Sequence, residues 1–156
     1  MKVMQYQTLL KESGENYLSC VKELQTDSNL TNPEKIFKFM ENAFHMSELA
    51  EEYVYVVACN IKSKPIGVFE IAHGTVNECT LSPRETFIRL LLCGVASFSL
   101  IHNHPSGDIS PSREDERMTR KMLDVANLMR VELVDHIIIG GGTYYSFRKN
   151  LHVFSS

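Results

Sequence analysis

Residues 102–115 read HNHPSGDISPSRED and contain the densest set of side chains able to do chemistry. His102 and His104 are two apart. On an extended backbone alternate side chains face the same way, so both imidazoles can reach one ion. Asp115 would arrive from the first turn of a following helix. Two histidines and one carboxylate are a common ligand set for catalytic zinc, and they leave a fourth position for water. Zinc held in this way lowers the pKa of its water from ~15.7 toward roughly 7. Hydrolysis then needs a carboxylate to carry the water's proton. Glu51 and Glu52, at the mouth of a predicted strand, are the candidates. A donor must also steady the developing oxyanion. Ser112, one helical turn before Asp115, is placed to point at the same site.

Each residue also has a plainer explanation. Ser112-x-x-Asp115 reads as a helix cap with an acid in the first turn, which needs no metal. A His-x-His pair in a loop can simply be solvated. Glu51 and Glu52 form a run with Glu48 that suits a solvated helix end. The joint occurrence argues for a site: a buried strand runs straight into His-x-His-Pro, and Ser-x-x-Asp follows after the loop. A cap and a ligand are compatible roles for the same two residues. Asp135 and His136 are possible supports for the ligands. They read instead as structural at the start of their strand, because the ligand set is complete without them. His45, His73 and His152 have no partners in sequence and read as surface or core histidines.

The elements that must position these groups follow from pattern. Asn32-Pro33-Glu34 is a helix start, with Ile36, Phe37, Met40, Phe44 and Leu49 at helical spacing. Tyr53–Cys59 and Ile66–Ala72 read as strands joined by the turn at Lys62-Ser63-Lys64-Pro65, which makes a hairpin. Ser82-Pro83-Arg84-Glu85 is a capping box opening a second helix. Phe98–Ile101 is a short buried strand delivering the chain to His102. A third helix begins at Ser112, with Met118, Met122, Val125, Ala126 and Met129 on one side. Leu133–Ile139 and Thr143–Phe147 are strands joined at Gly140-Gly141-Gly142. Helices and strands alternate with hairpins at both ends, which predicts an α/β sandwich with a mixed sheet flanked by helices. Residues 33–156 form the domain, and residues 1–32 read as an N-terminal arm or helix, with loose helical spacing over Gln5–Leu24.

Composition narrows the function classes. With 156 residues, 44% apolar and 22% charged, the chain is long enough and apolar enough for one folded core. A net charge of −3 without a basic stripe argues against direct nucleic-acid binding. The longest apolar runs are too short to span a bilayer, and Met1–Glu12 lacks the apolar stretch of a signal peptide. Cys20, Cys59, Cys79 and Cys93 make no Cys-x-x-Cys motif and read as reduced thiols, so a cytoplasmic setting is expected.

His102-x-His104, seven residues, then Ser112-x-x-Asp115 resembles the JAMM (MPN-plus, JAB domain) metalloprotease motif. His102-Asn103-His104-Pro105-Ser106-Gly107 resembles the RadC branch of that family. So do Gly74-Thr75 and Ser82–Glu85 upstream, with Asp135–Gly140 and Tyr145-Ser146-Phe147 downstream. The similarity covers roughly residues 33–150. It implies a cytidine-deaminase-like α/β sandwich holding one zinc ion on His102, His104 and Asp115. It further implies Ser112 as oxyanion donor and an upstream glutamate as acid/base. In the RadC branch that glutamate stands two residues before an aromatic at the start of the first strand. Tyr53 is that aromatic, so the resemblance favours Glu51, with Glu52 second. The implied activity is zinc-dependent hydrolysis of a peptide or isopeptide bond in a peptide or protein substrate. The alternative is a non-catalytic accessory module associated with DNA repair, with an unknown partner. Residues 1–32 do not resemble the helix-hairpin-helix module of full-length RadC proteins, and they leave room for a homodimer. Two look-alikes fail on residue pattern: an HNH nuclease disperses its residues over a larger element, and a zinc deaminase needs His-x-Glu with Pro-Cys-x-x-Cys.

Overall fold

The computed structural model describes residues 1–74, 81–150 and 154. Thr75, Cys79 and His152, singled out above, lie outside the described residues. The chain folds as β1 (Lys2–Leu10), β2 (Asn16–Gln25), α1 (Pro33–Phe44), β3 (Glu52–Cys59), β4 (Pro65–Gly74) and α2 (Pro83–Cys93). It continues as β5 (Ser97–Asn103), α3 (Arg113–Met129), β6 (Glu132–Gly140), β7 (Thr143–Ser146) and a short α4 (Phe147–Asn150). One seven-stranded sheet has the order β2-β1-β4-β3-β5-β6-β7. The β1–β4 and β5–β6 pairs are parallel, and the other neighbours are antiparallel. This is the mixed sheet that the alternation of elements predicts.

Helices cover both faces. Ile36, Phe39 and Met40 of α1 pack with Tyr55, Val57, Ile101, Ile137 and Ile139 on one side. Phe87 and Leu90 of α2, with Met122 and Ala126 of α3, pack on Val54, Val56, Phe98 and Leu100 on the other. Every residue of β5 is buried, as expected of a central strand covered on both faces. The predicted caps form: Asn32 Oδ1 accepts from the Lys35 N–H at 2.9 Å, and Ser82 Oγ from the Glu85 N–H at 3.4 Å. The Glu85 carboxylate does not complete the predicted box. It turns to Arg84 and Arg89 instead. Met129, predicted on the packed side of α3, is 40% exposed at the last residue of the helix. Among the described residues, no helix is long and apolar enough to cross a membrane.

The N-terminal segment departs from the predicted arm or helix. Residues 2–25 form a β-hairpin, closed by a turn in which Gly14 takes φ +88°. Val3 sits opposite Leu24 and both are buried, while β1 joins the sheet beside β4. The apolar residues on the two arms of a hairpin mimic a loose helical repeat when read as one run, and pairing with β4 decides between the two.

One contact in this frame bears directly on residue 104. The backbone N–H of His104 donates to the Ile139 carbonyl at 2.8 Å, which ties the loop after β5 to the end of β6. The approach requires glycine at 140: a Cβ there would stand 3.1 Å from the His104 carbonyl oxygen and 3.3 Å from the Gly107 backbone. Gly140→Ala should therefore lower stability by about 1–3 kcal/mol, the usual range for overpacking. Urea unfolding would show this as a lower midpoint at unchanged slope. A wild-type midpoint would mean that the loop gives way freely.

Candidate metal centre

Strand parity brings the candidate ligands together. On β5, Phe98, Leu100 and His102 point to the face covered by α2 and α3, and His104 continues the alternation just past the strand end. The loop then turns back, and α3 starts at Ser112 with a complete capping box. Ser112 Oγ accepts from the Asp115 N–H at 3.1 Å, and Asp115 Oδ2 accepts from the Ser112 N–H at 2.8 Å. The cap fixes the carboxylate, and the same carboxylate faces both histidines. Asp115 Oδ1 lies 3.2 Å from His102 Nε2, and Oδ2 lies 3.2 Å from His104 Nε2. The two Nε2 atoms are 3.0 Å apart. A tetrahedral ion with bonds of about 2.0–2.2 Å separates its ligand atoms by about 3.3 Å. The Nε2–Nε2 separation, and each nitrogen's distance to its own Asp115 oxygen (Oδ1 for His102, Oδ2 for His104), are close to that spacing, so this donor set suits a zinc-sized ion.

Hydrogen bonding sharpens the fit. His104 Nδ1 is 2.7 Å from the Asp108 carbonyl oxygen, which can only accept. Nδ1 therefore carries the proton, and His104 Nε2 presents a lone pair to a carboxylate. Such a facing pair is satisfied by a proton or a cation. Burial alone would lower the His104 pKa, but the bond to Asp115, the Asp108 carbonyl and the nearby acids outweigh it and raise it. Burial would raise the Asp115 carboxyl. The bonds from His102 and His104 overcome this and hold it well below the usual carboxylate range.

The fourth group is Glu52. Its Oε1 stands 3.9 Å from His104 Nε2, and Glu52, His102 and His104 offer ligand-type atoms within 4.8 Å of one another. Burial raises its pKa, with the two histidines opposing. Glu51, the first choice from the sequence, is not brought to this centre. Its side chain is 56% exposed and pairs with His73, whereas that of Glu52 is 14% exposed. Parity explains the difference. Val54 pairs with His102 across β3–β5, so Glu52 shares the histidines' face and Glu51 does not.

Asn103, which the sequence reading did not single out for a role, holds that arrangement. It is fully buried between the two histidines. Its Nδ2–H donates to the Glu51 carbonyl at 2.9 Å, and its Oδ1 accepts from the Tyr53 N–H at 2.8 Å. The side chain thus clamps the backbone on either side of Glu52. Asp135 is structural, as expected: its carboxylate accepts from the Ser146 hydroxyl and from the backbone N–H groups of His136 and Arg148. His136 differs from that expectation. Its Nε2 lies 2.7 Å from His102 Nδ1, and its ring stacks on Phe147 at 4.5 Å and 4°. The downstream Tyr145-Ser146-Phe147 signature is explained by the same contacts, since Ser146 anchors Asp135 and Phe147 supports His136. The fold places His136 beside His102, and spacing along the sequence could not show that.

Residues 30–152 match the family described as the RadC-like JAB domain. A UPF0758 protein of Symbiobacterium thermophilum is 36% identical over 121 residues, covering 78% of this chain and 51% of its own length. One from Caldanaerobacter subterraneus is 33% identical over 141 residues, covering 90% and 55%, and one from Clostridium tetani is 36% identical over 139 residues, covering 88% and 55%. The chain spans about half the length of these curated relatives. By the family match and by these relatives, the chain belongs to the RadC-like JAB domain family.

Proposed function

We propose that this domain is a zinc-dependent hydrolase of peptide or isopeptide bonds. The observation that carries the reading is the triangle of His102, His104 and Asp115 with a half-buried glutamate facing it. His102 Nε2, His104 Nε2 and Asp115 would hold the ion. Bound there, zinc supplies Lewis acidity, which polarises a carbonyl and acidifies water at neutral pH. The chain's own groups do the rest. Glu52 Oε1 takes a proton from the attacking water and returns it to the leaving nitrogen, the exchange that general acid/base catalysis requires. Asn103 keeps Glu52 aimed by pinning residues 51 and 53. Ser112 Oγ uses its lone pair on the Asp115 N–H, which leaves its hydroxyl hydrogen to donate to the substrate oxygen. The buried face of the sheet under His102 keeps water from the back of the site. A peptide or protein substrate and a reducing, cytoplasmic setting belong to the same proposal.

The test uses purified protein loaded with zinc against panels of fluorogenic peptides and isopeptide-linked substrates. Glu52→Gln should lower kcat by about 10²–10⁴-fold, the range that general acid/base groups supply, with zinc content unchanged. Glu51→Gln should stay within a few-fold of wild type. The reverse pattern would refute the assignment to Glu52. An inert zinc-loaded wild type would favour the accessory-module reading.

A further inference from the structure

We propose that Thr119 and His136 set the tautomer of His102, so that its Nε2 lone pair is aimed at the metal ion. The inference rests on the metal-binding part of the reading above and not on hydrolysis. A chain of buried contacts carries it. His102 Nδ1 meets His136 Nε2 at 2.7 Å, and His136 Nδ1 meets Thr119 Oγ1 at 2.6 Å. The Thr119 hydroxyl in turn donates to the Asp115 carbonyl at 2.8 Å. His136 and Thr119 are both fully buried, so the protein itself satisfies these groups.

Proton positions along such a chain are not independent. A neutral imidazole has one N–H and one lone pair. If His102 gives its Nε2 lone pair to an ion, Nδ1 keeps the proton and must donate to His136 Nε2. His136 then carries its own proton on Nδ1 and needs an acceptor there. Thr119 Oγ1 is that acceptor, because its single hydrogen is already directed to the Asp115 carbonyl. Phe147, stacked nearly parallel on His136, keeps the ring from turning to another arrangement. In the opposite arrangement every proton shifts one step toward the site, and His102 presents an N–H where an ion needs a lone pair. The hydroxyl on α3 therefore selects the metal-competent state of a histidine on β5, through a histidine on β6. Thr119 and His136 are positioning residues: neither touches the ion, and both act through His102.

The experiment is zinc affinity by chelator competition, beside the thermal midpoint of each metal-free protein. Thr119→Val keeps the shape and removes the acceptor. It should weaken zinc binding by about 10–100-fold, the usual effect of losing a partner that orients a ligand. Thr119→Ser restores a hydroxyl and should bind within about threefold of wild type. A merely structural role would lower the thermal midpoint of metal-free Thr119→Val and leave its affinity unchanged. That result would overturn the proposal. Should Thr119→Val not fold, the proton position on His136 decides by nitrogen NMR of the zinc-loaded wild type. A proton on Nδ1 is expected, and a proton on Nε2 would overturn the proposal. Neither readout involves substrate, so an inactive enzyme and a failed relay are distinguishable. A wild type that binds no zinc would overturn the metal reading beneath both.

Discussion

Two ring nitrogens and a carboxylate, all turned toward the same point, are the constraint on which the rest of this structure depends. The Nε2 atoms of His102 and His104 and the oxygens of Asp115 lie 3.0–3.2 Å apart, most of them buried. Facing acceptors in a low-dielectric setting repel unless a cation or a proton joins them. The surrounding fold forces the convergence. Parallel pairing with β6 holds β5, the His104 N–H is tied to Ile139, and the capping box sets Asp115 at the first turn of α3. The cap and the histidine contact are one arrangement here, since the oxygen that accepts the Ser112 N–H also faces His104.

Much of this was legible in the residues. The helix starts at Asn32 and Ser112, the strand leading into His102 and the hairpin of β3 and β4 all follow from local signals. Those signals are capping side chains, proline at the first helical turn and runs of β-branched residues. The convergence of His102 and His104 was legible because alternate side chains on an extended backbone face the same way. Glu51 against Glu52 was not legible. Val54–Cys59 is buried on both faces, so its residues carry no alternation from which to read a face. Only pairing with β5 sets the parity, through Val54 opposite His102. The hairpin of residues 2–25 was hidden for a related reason, because its partner β4 lies far away in sequence. His136 and Thr119 join the site across strand and helix, a proximity that no spacing rule records.

Family membership and chemistry remain separate statements. The RadC-like JAB domain accounts for residues 30–152, and relatives of about twice the length share it. A fold can host unrelated functions, so the hydrolase reading has to be argued from the site itself. What distinguishes this site from a capped loop is the depth of its support. Asn103 clamps the backbone around Glu52, Asp115 is held by its cap, and His136 with Phe147 backs His102. A solvated histidine pair would need none of these.

The central claim is that these residues bind one metal ion, and metal content measured by mass spectrometry tests it most directly. Wild-type protein incubated with zinc and desalted should carry about one zinc per chain, and His104→Ala and Asp115→Ala should each lose it. A wild type that carries no metal, or variants that retain it in full, would contradict the account.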